Sequence, residues 1–225
     1  GHDMNLDFTP EQEMLRKSVA EFLTKACPME VVKEIEDSGP GFDPKVWKKM
    51  AELGWMELYY PETYGGYGDP FMNVVIIMEE LGKAALPSPY FSTVVQCGIL
   101  LLEGGTEAQK KALLPKIAAG DLILSLAQYD ESGSYREAGI NMPAEAKGDG
   151  YVLNGKKMFV MEANIAHKMI VAARLKDAGV TLFMVDAKAP GITVTKMPTI
   201  GMDNCCEVVF NNVAVPKADL IGAPG

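Results

Sequence analysis

Apolar residues recur at helical spacing in the first half of the chain. In residues 8–26 these positions are Leu15, Val19, Phe22, Leu23 and Ala26. Residues spaced in this way share one side of an α-helix. The segment opens with a capping pattern, because the side chains of Thr9 and Gln12 can each accept a hydrogen bond from the other's backbone amide. Pro10 suits the first helical turn, where no N–H is needed, so a helix beginning at Pro10 is predicted.

Three later segments repeat this kind of helix start. Asp43 and Asp69 each precede a proline and are predicted as N-caps, and Gly54 is predicted to end the first of these two helices. Thr106 and Gln109 form another capping box before a further helical pattern. The first half is therefore predicted to be a set of separately capped helices.

Two features modify these helices. Residues 91–102 are apolar on every side, which predicts a helix buried between others. Pro115 lies inside the last helical pattern and is expected to kink or divide that helix. Gly120 is then predicted to end it.

From Leu122 onward the pattern changes to short β-rich segments separated mostly by Gly, Asn, Asp or Pro. The segments are residues 122–128, 142–147, 151–160, 168–174, 180–186, 192–197 and 206–215. The sequence KGDGY predicts a hairpin turn between Ala146 and Val152. Short strands punctuated in this way are typical of a small sandwich or barrel.

The chain is thus predicted to be an α+β protein with two parts. An N-terminal all-α helical bundle covers residues 5–121, and an all-β barrel or sandwich domain covers residues 122–225. Residues 1–4, which read GHDM, are interpreted as a cloning remnant, so His2 is left out of functional reasoning. His167 is then the single remaining histidine, and we predict neither a metal site nor a Ser-His-Asp triad.

Charge and composition exclude several function classes. The net charge of −9 argues against a nucleic-acid partner, which requires a basic face. The longest apolar stretch, residues 94–102, is about half the length that spans a bilayer, and no secretory signal opens the chain. The four cysteines form no C-x-x-C pair, which is typical of reduced thiols and predicts a cytoplasmic, bacterial-type protein.

Four motifs, read in order, resemble one enzyme family. YPETYGGYGD at residues 60–69 is similar to the P-E-x-Y-G-G-x-G turn of acyl-CoA dehydrogenases, and GTEAQKKALLPKIAAGD at 105–121 resembles a helical segment of that family. GDGYVLNGKKMFV at 148–160 and VAVPKADLIG at 213–222 are similar to two of its β segments. Each motif is weak alone, but the four together cover nearly the whole chain.

The resemblance implies a fold and a reaction. The family has an N-terminal helical domain, a middle β domain and a C-terminal helical domain, and it removes two hydrogens across the Cα–Cβ bond of an acyl-CoA thioester. A carboxylate base takes the α proton while the β hydrogen leaves as a hydride to the N5 atom of FAD. The resemblance also implies reoxidation by an electron-transferring flavoprotein and assembly into homo- or hetero-oligomers.

The resemblance does not supply a catalytic base within this sequence. In the family the base comes from the C-terminal helical domain, and the sequence ends where that domain would begin. We therefore assign no catalytic residue. The second half contains candidate carboxylates at Glu131, Glu137, Glu162 and Glu207. Solvated loop positions are the favoured interpretation of all four.

Cofactor residues are carried over from the family motif x-x-T-E-P-x-x-G-S-D and its aromatic-I-T segment. The positions implied to bind FAD are Leu126, Gln128, Tyr129, Ser134, Tyr135, Phe159, Val160 and Met161. Ser134 and Tyr135 are also implied to contact the acyl-CoA substrate. The register places Tyr135 at the family serine, and a gap of one or two residues would instead place Ser132 or Ser134 there. The same register places Asp130 at the position of the family glutamate. Lys156 and Lys157 either steer an anionic ligand or are solvated edge charges, and the second reading is favoured.

This sequence departs from the motif at several cofactor positions. Tyr129 stands where the family has threonine, Tyr135 where it has serine, and Met161 where it has a threonine hydroxyl. Two alternatives to a flavin-dependent dehydrogenase therefore stay open. One is a non-catalytic or flavin-degenerate partner subunit, and the other is an FAD enzyme of the same fold with a different reaction.

Overall fold

The computed structural model describes residues 8–131, 139–198 and 204–225. Its helices are α1 (Pro10–Ala26), α2 (Met29–Asp37), α3 (Pro44–Glu52), α4 (Phe71–Lys83), α5 (Gly98–Gly104) and α6 (Glu107–Ala118). A π-helical segment, Phe91–Cys97, leads directly into α5, and short 3-10 turns lie at Glu62–Tyr64 and Lys217–Asp219. The predicted helical first half is confirmed, although the sequence pattern did not indicate α2.

Helix starts follow the local sequence where a side chain can reach the free amides. At α1 the Gln12 amide donates to Thr9 Oγ1 at 3.2 Å, and the Thr9 amide donates to Gln12 Oε1 at 3.0 Å. Thr106 and Gln109 form the same capping box at α6. The predicted caps of both helices are therefore confirmed.

The two predicted aspartate caps differ. Asp43 Oδ1 accepts a hydrogen bond from the Lys45 amide at 2.9 Å and caps α3. Asp69 was expected to do the same at α4, and this prediction is wrong. Pro70 precedes α4 without a side-chain cap, because the Asp69 carboxylate accepts from Asn73 Nδ2 at 3.1 Å instead.

The apolar run 91–102 also departs from expectation. It is π-helical in its first part and α-helical in its second, and Phe91 is 53% exposed although the pattern predicted burial. Pro115 lies inside α6, which continues undivided to Ala118. Pro115 packs beside Gly65 of the preceding turn, so a tertiary contact accompanies the proline within the helix.

Seven strands of the described residues form one sheet. They are β1 (Leu124–Ala127), β2 (Pro143–Lys147), β3 (Gly150–Met161), β4 (Lys168–Leu175), β5 (Gly179–Asp186), β6 (Ile192–Lys196) and β7 (Cys205–Pro216). The order is β1-β4-β2-β3-β7-β6, and β5 pairs with β4. The predicted hairpin joins β2 to β3, with Lys147 opposite Gly150 and Gly148 at a φ of +60°.

The sheet curls back on itself. Phe183 of β5 bridges to Leu220, which follows β7, and the Ile221 amide donates to the Leu182 carbonyl at 2.8 Å. These contacts join regions that are several strands apart in the sheet order. The helical half is thus followed by a curled, partly closed β structure, as the fold class predicted.

The helical and β halves share one hydrophobic core. Leu124, Ile170 and Met184 of the sheet lie in the same buried cluster as Tyr60 and Leu101 of the helical half. A pair of hydrogen bonds fixes the junction. Thr93 Oγ1 accepts from the Leu124 amide at 3.0 Å and donates to the Leu124 carbonyl at 3.1 Å. The start of β1 is therefore positioned by the π-helical segment.

The turn over residues 60–68 is set by close backbone contacts. Gly65 and Gly68 have φ values of +89° and +68°, which favour glycine. Gly66 is required for a different reason. A Cβ atom on Gly66 would lie 1.9 Å from the Tyr60 carbonyl oxygen, so only glycine fits.

Replacing Gly66 with alanine should destabilise the fold by about 2–3 kcal/mol or more, because the clashing partner is a backbone atom that cannot move aside. Gly39→Ala is the matched control, since a Cβ at Gly39 meets nothing within 4 Å. Urea unfolding of both variants measures the difference. Equal stability of the two variants would contradict this account of the turn.

Candidate functional site

Two segments assigned to the cofactor from sequence lie side by side in the structure. The first is the end of β1 with the following residues to Tyr129, and the second is the end of β3. The Met158 amide donates to the Tyr129 carbonyl at 2.8 Å, and Ser125 Oγ donates to the Met161 carbonyl. Segments more than 25 residues apart in sequence are thereby joined where β1 and β3 end.

A break in the β3–β7 pairing makes this junction possible. The register shifts between Lys157 and Val160, which leaves Met158 and Phe159 outside the ladder. Phe159 takes a φ of +56°, an uncommon conformation for a bulky residue. Its side chain is 43% exposed. The bulge therefore turns an aromatic ring away from the core beside the end of β1.

The remaining predicted cofactor residues differ in exposure. Val160 is fully buried within the β core, so its side chain packs inward. Leu126 is partly buried against the core shared with the helices. Gln128, Tyr129 and Met161 are also partly buried. Because the Val160 side chain is buried, this residue could contact a ligand only through its backbone atoms.

Ser134 and Tyr135 lie outside the described residues, so their assignment stays a prediction. The base of the loop that contains them is described. Asp130 Oδ2 accepts hydrogen bonds from the Asn141 amide at 2.6 Å and the Met142 amide at 2.9 Å. One carboxylate therefore joins both ends of this loop.

The same carboxylate is paired with a buried lysine. Lys157 Nζ lies 2.5 Å from Asp130 Oδ1 and 3.2 Å from the Gln128 carbonyl oxygen, and the Lys157 side chain has 0% exposure. Burial lowers the pKa of Lys157, and the hydrogen bond to Asp130 opposes that shift. The expectation of a solvated edge charge is wrong for Lys157, because its ammonium is enclosed by the β1 extension.

Lys156 points the other way and has two acidic neighbours. Its Nζ lies 3.2 Å from Glu131 Oε1 and 3.9 Å from Glu207 Oε1. Both carboxylates thus lie in a partly exposed ion-pair network, and neither is positioned as an isolated base. Glu137 lies outside the described residues.

Glu162 differs from these carboxylates. It follows β3 with a φ of +56° and lines a cavity of about 240 Å³ between residues 85–89 and the sheet. Burial raises its pKa to about 7, and a hydrogen bond from the Ser92 side chain opposes that rise. The expectation of a solvated loop position is wrong for Glu162. Sequence spacing gave no sign of this, since the cavity is formed by segments far apart in the chain.

Other chemistry-bearing side chains have structural partners. His167 Nδ1 accepts a hydrogen bond from the Ile123 amide at 2.9 Å just before β4. Across the described part of the chain, no group of three or more His, Cys, Asp or Glu side chains could hold a metal ion. Within the same residues, no helix has both the length and the apolar character needed to cross a bilayer.

Comparison with known proteins agrees with this architecture. The profile described as "Acyl-CoA dehydrogenase, N-terminal domain" matches residues 9–121, and "Acyl-CoA dehydrogenase, middle domain" matches residues 130–213. The chain belongs to the acyl-CoA dehydrogenase family. The resemblance drawn from the four sequence motifs is therefore confirmed.

Individual members of the acyl-CoA dehydrogenase family match along almost the whole chain. It is 32% identical to mitochondrial isovaleryl-CoA dehydrogenase of Pongo abelii, over 94% of this chain and 53% of that protein. It is also 32% identical to "Probable acyl-CoA dehydrogenase YngJ" of Bacillus subtilis (strain 168), over 98% of this chain and 60% of the relative. The chain thus spans about half to three-fifths of the length of these relatives.

A solved acyl-CoA dehydrogenase structure supports the same fold. The enzyme from Geobacillus kaustophilus superimposes with a TM-score of 0.87 at 28% identity, covering 97% of this chain and 60% of that structure. The helical half and the curled sheet described above therefore have the family arrangement.

Replacing Lys157 with methionine should cost about 2–4 kcal/mol of stability, because it leaves the Asp130 carboxylate without its buried partner. Lys156→Met is the control and should cost less than about 1 kcal/mol, since its ion pairs are partly exposed. Chemical denaturation compares the two variants. A Lys157 variant as stable as the Lys156 variant would show that the buried pair does not hold the loop base.

Replacing Glu162 with glutamine should stabilise the protein at pH 8 but not at pH 4. The pKa of Glu162 is about 7 in the folded protein against an ordinary value of 4.5. Between these values the folded state holds a proton that the unfolded chain has lost, so wild-type stability falls as pH rises through this window.

The expected gain at pH 8 is roughly 1–3 kcal/mol, given about 1.4 kcal/mol for each unit of pKa shift and a reduction for partial exposure. Thermal unfolding across this pH range measures it, with the exposed Glu103→Gln as control. A gain that does not change with pH would contradict the assignment.

Proposed function

We propose that this protein takes part in the FAD-dependent α,β-dehydrogenation of an acyl-CoA thioester. Membership of the acyl-CoA dehydrogenase family supports the reaction class. The observation that carries the proposal for this chain is the junction of Tyr129 with Met158, which brings both predicted cofactor segments together.

The residues at this junction fit a flavin. Phe159 is 43% exposed and so presents an aromatic ring to solvent. Its positive φ is uncommon for a bulky residue. A conformation of that kind is maintained where the surrounding structure imposes it, and such positions cluster at ligand sites. Phe159 would pack against the flavin ring, and backbone atoms near Gln128, Val160 and Met161 would bind its polar edge. Bound FAD would accept the β hydrogen as a hydride.

The chain's own residues would mainly position the cofactor and substrate. The Asp130–Lys157 pair fixes the base of the loop that contains Ser134 and Tyr135, the proposed thioester wall. Hydrogen-bond donors at the thioester oxygen are needed because the α proton is weakly acidic and enolate character develops as it leaves. A carboxylate would accept that proton, and we assign no described residue to this role.

Partners and location follow from the same proposal. The substrate is an acyl-CoA thioester, an electron-transferring flavoprotein reoxidises the cofactor, and the protein acts as a homo- or hetero-oligomer. The four cysteines are all buried free thiols, which supports a reducing, cytoplasmic location.

A second candidate function is a partner subunit that has lost its flavin. The side chains at two cofactor positions favour it, since Met161 has no hydroxyl to donate and Tyr129 is far larger than the threonine of the family motif. In this case the fold would complete another subunit's site or bind a CoA thioester without redox chemistry. A changed reaction on bound FAD is the third possibility.

The visible absorbance spectrum of the purified protein tests these functions. A stoichiometric oxidised flavin band, or its appearance after FAD is added, is the expected result. Met161→Thr should bind FAD about 2–10-fold more tightly, because one added hydrogen bond is worth about 0.5–1.5 kcal/mol. Met161→Leu is the control and should leave the affinity unchanged. Absence of flavin from all three forms, even with added FAD, would favour the partner-subunit function.

A further inference from the structure

The cavity lined by Glu162 lies directly beside the proposed flavin wall. Its volume is about 240 Å³. Its polar side chains are those of Ser88, Glu162 and Asn204. The lining residues are Gly41, Ala85, Leu86, Pro87, Ser88, Pro89, Met161, Glu162, Ile165 and Asn204. Met161 is shared with the proposed cofactor site, so a group entering the cavity would lie close to the flavin.

The backbone of Glu162 is fixed in place. Its amide donates to the Asn204 carbonyl at 2.7 Å, and its own carbonyl accepts from the Ile165 amide at 3.1 Å and the Ala166 amide at 3.0 Å. These bonds maintain the left-handed conformation, which costs about 1–3 kcal/mol for a residue other than glycine. The structure therefore holds this carboxyl at the cavity wall in a conformation that the residue does not favour.

The other polar side chains of the cavity are already engaged. Ser88 Oγ accepts from the Tyr90 amide at 3.1 Å, and Asn204 Nδ2 donates to the Gly41 carbonyl at 3.1 Å. Glu162 has the Ser92 hydroxyl as a neighbour, but that hydroxyl has a single proton, for which the Pro89 carbonyl at 3.2 Å competes. The carboxyl of Glu162 thus has capacity left for a ligand.

No cation of the described residues neutralises this carboxyl. Within residues 8–131, 139–198 and 204–225, Glu162 forms no ion pair. Its titratable neighbours are Cys97 and Cys205. Burial raises the pKa of both thiols, so both are neutral at pH 7. A buried carboxylate is either paired with a positive charge or takes up a proton.

We propose that the cavity is a subsite for an ammonium group carried by the acyl part of the substrate, with Glu162 as its counter-ion. This inference rests on the proposed function for the acyl-CoA, although the cavity itself can be tested without it. An ammonium donates up to three hydrogen bonds and supplies the charge that the site lacks. An acyl carboxylate would be repelled, and a plain alkyl tail would leave the carboxyl unpaired.

Small probes without coenzyme A test the cavity directly. Butylammonium, 1-butanol and butyrate are titrated into the protein at pH 7 and followed by ligand-observed NMR. Butylammonium should bind wild type at least tenfold more tightly than it binds Glu162→Gln. Glu103→Gln, an exposed position, should retain wild-type affinity. Butyrate should show no binding.

The number of protons released on binding distinguishes an ammonium ligand from a hydroxyl ligand. At pH 7 the carboxyl of Glu162 is about half protonated, so pairing with a cation should release roughly half a proton per ligand. Calorimetry in two buffers of different ionisation enthalpy measures this number. Tighter binding of 1-butanol than of butylammonium, equal binding by Glu162→Gln, or no binding by any probe would each overturn the proposal.

A second comparison links the cavity to the substrate. Binding of 4-aminobutanoyl-CoA should exceed that of pentanoyl-CoA, which has a similar shape, by at least tenfold, and the preference should disappear in Glu162→Gln. Failure of both thioesters to bind would count against the proposed function. The small probes would still show whether the cavity binds an ammonium group. Equal binding of the two thioesters by wild type would overturn the ammonium assignment of the substrate.

Discussion

The ion pair between Lys157 and Asp130 is the interaction on which the rest of the candidate site depends. The lysine lies inside the protein, where an unpaired charge is unfavourable, and its 2.5 Å contact with Asp130 determines where the chain leaving β1 must run. The second oxygen of Asp130 then binds the amides of Asn141 and Met142. One buried pair therefore sets both the path after β1 and the return of the loop to β2, next to the bulge that presents Phe159.

This dependence explains which features could be predicted from the sequence. Capping boxes at Thr9 and Thr106 involve residues three positions apart, and the hairpin turn at KGDGY is equally local. Both were predicted correctly. The predicted N-cap at Asp69 was wrong because the nearby Asn73 side chain donates to its carboxylate. The burial of Lys157 was missed because its partner lies 27 positions away, although an acid at residue 130 and a lysine in β3 were both visible in the motifs.

Only those parts of the candidate site that lie in the family motifs could be predicted from the sequence. They identified the two segments that the Tyr129–Met158 bridge brings together. Motif alignment could not show that Val160 faces the core while Phe159 is exposed, since that depends on a register shift between β3 and β7. Nor could it show the cavity at Glu162, whose walls come from Gly41, residues 85–89, the end of β3 with the residues after it, and Asn204 before β7.

The core shared by the helices and the sheet connects the junction at Tyr129 with the cavity at Glu162. Because Thr93 binds β1 through both polar atoms of Leu124, the helical half cannot shift without moving the strand that leads to Tyr129. Ser92, which precedes Thr93, lies beside Glu162, and Glu162 follows Met161. The π-helical segment that positions the proposed cofactor wall thus also lies beside the acidic side chain of the neighbouring cavity. A change of side chain at residue 161 or 162 therefore alters the polarity of a wall whose backbone is held in place from both sides, so we expect the fold to be kept.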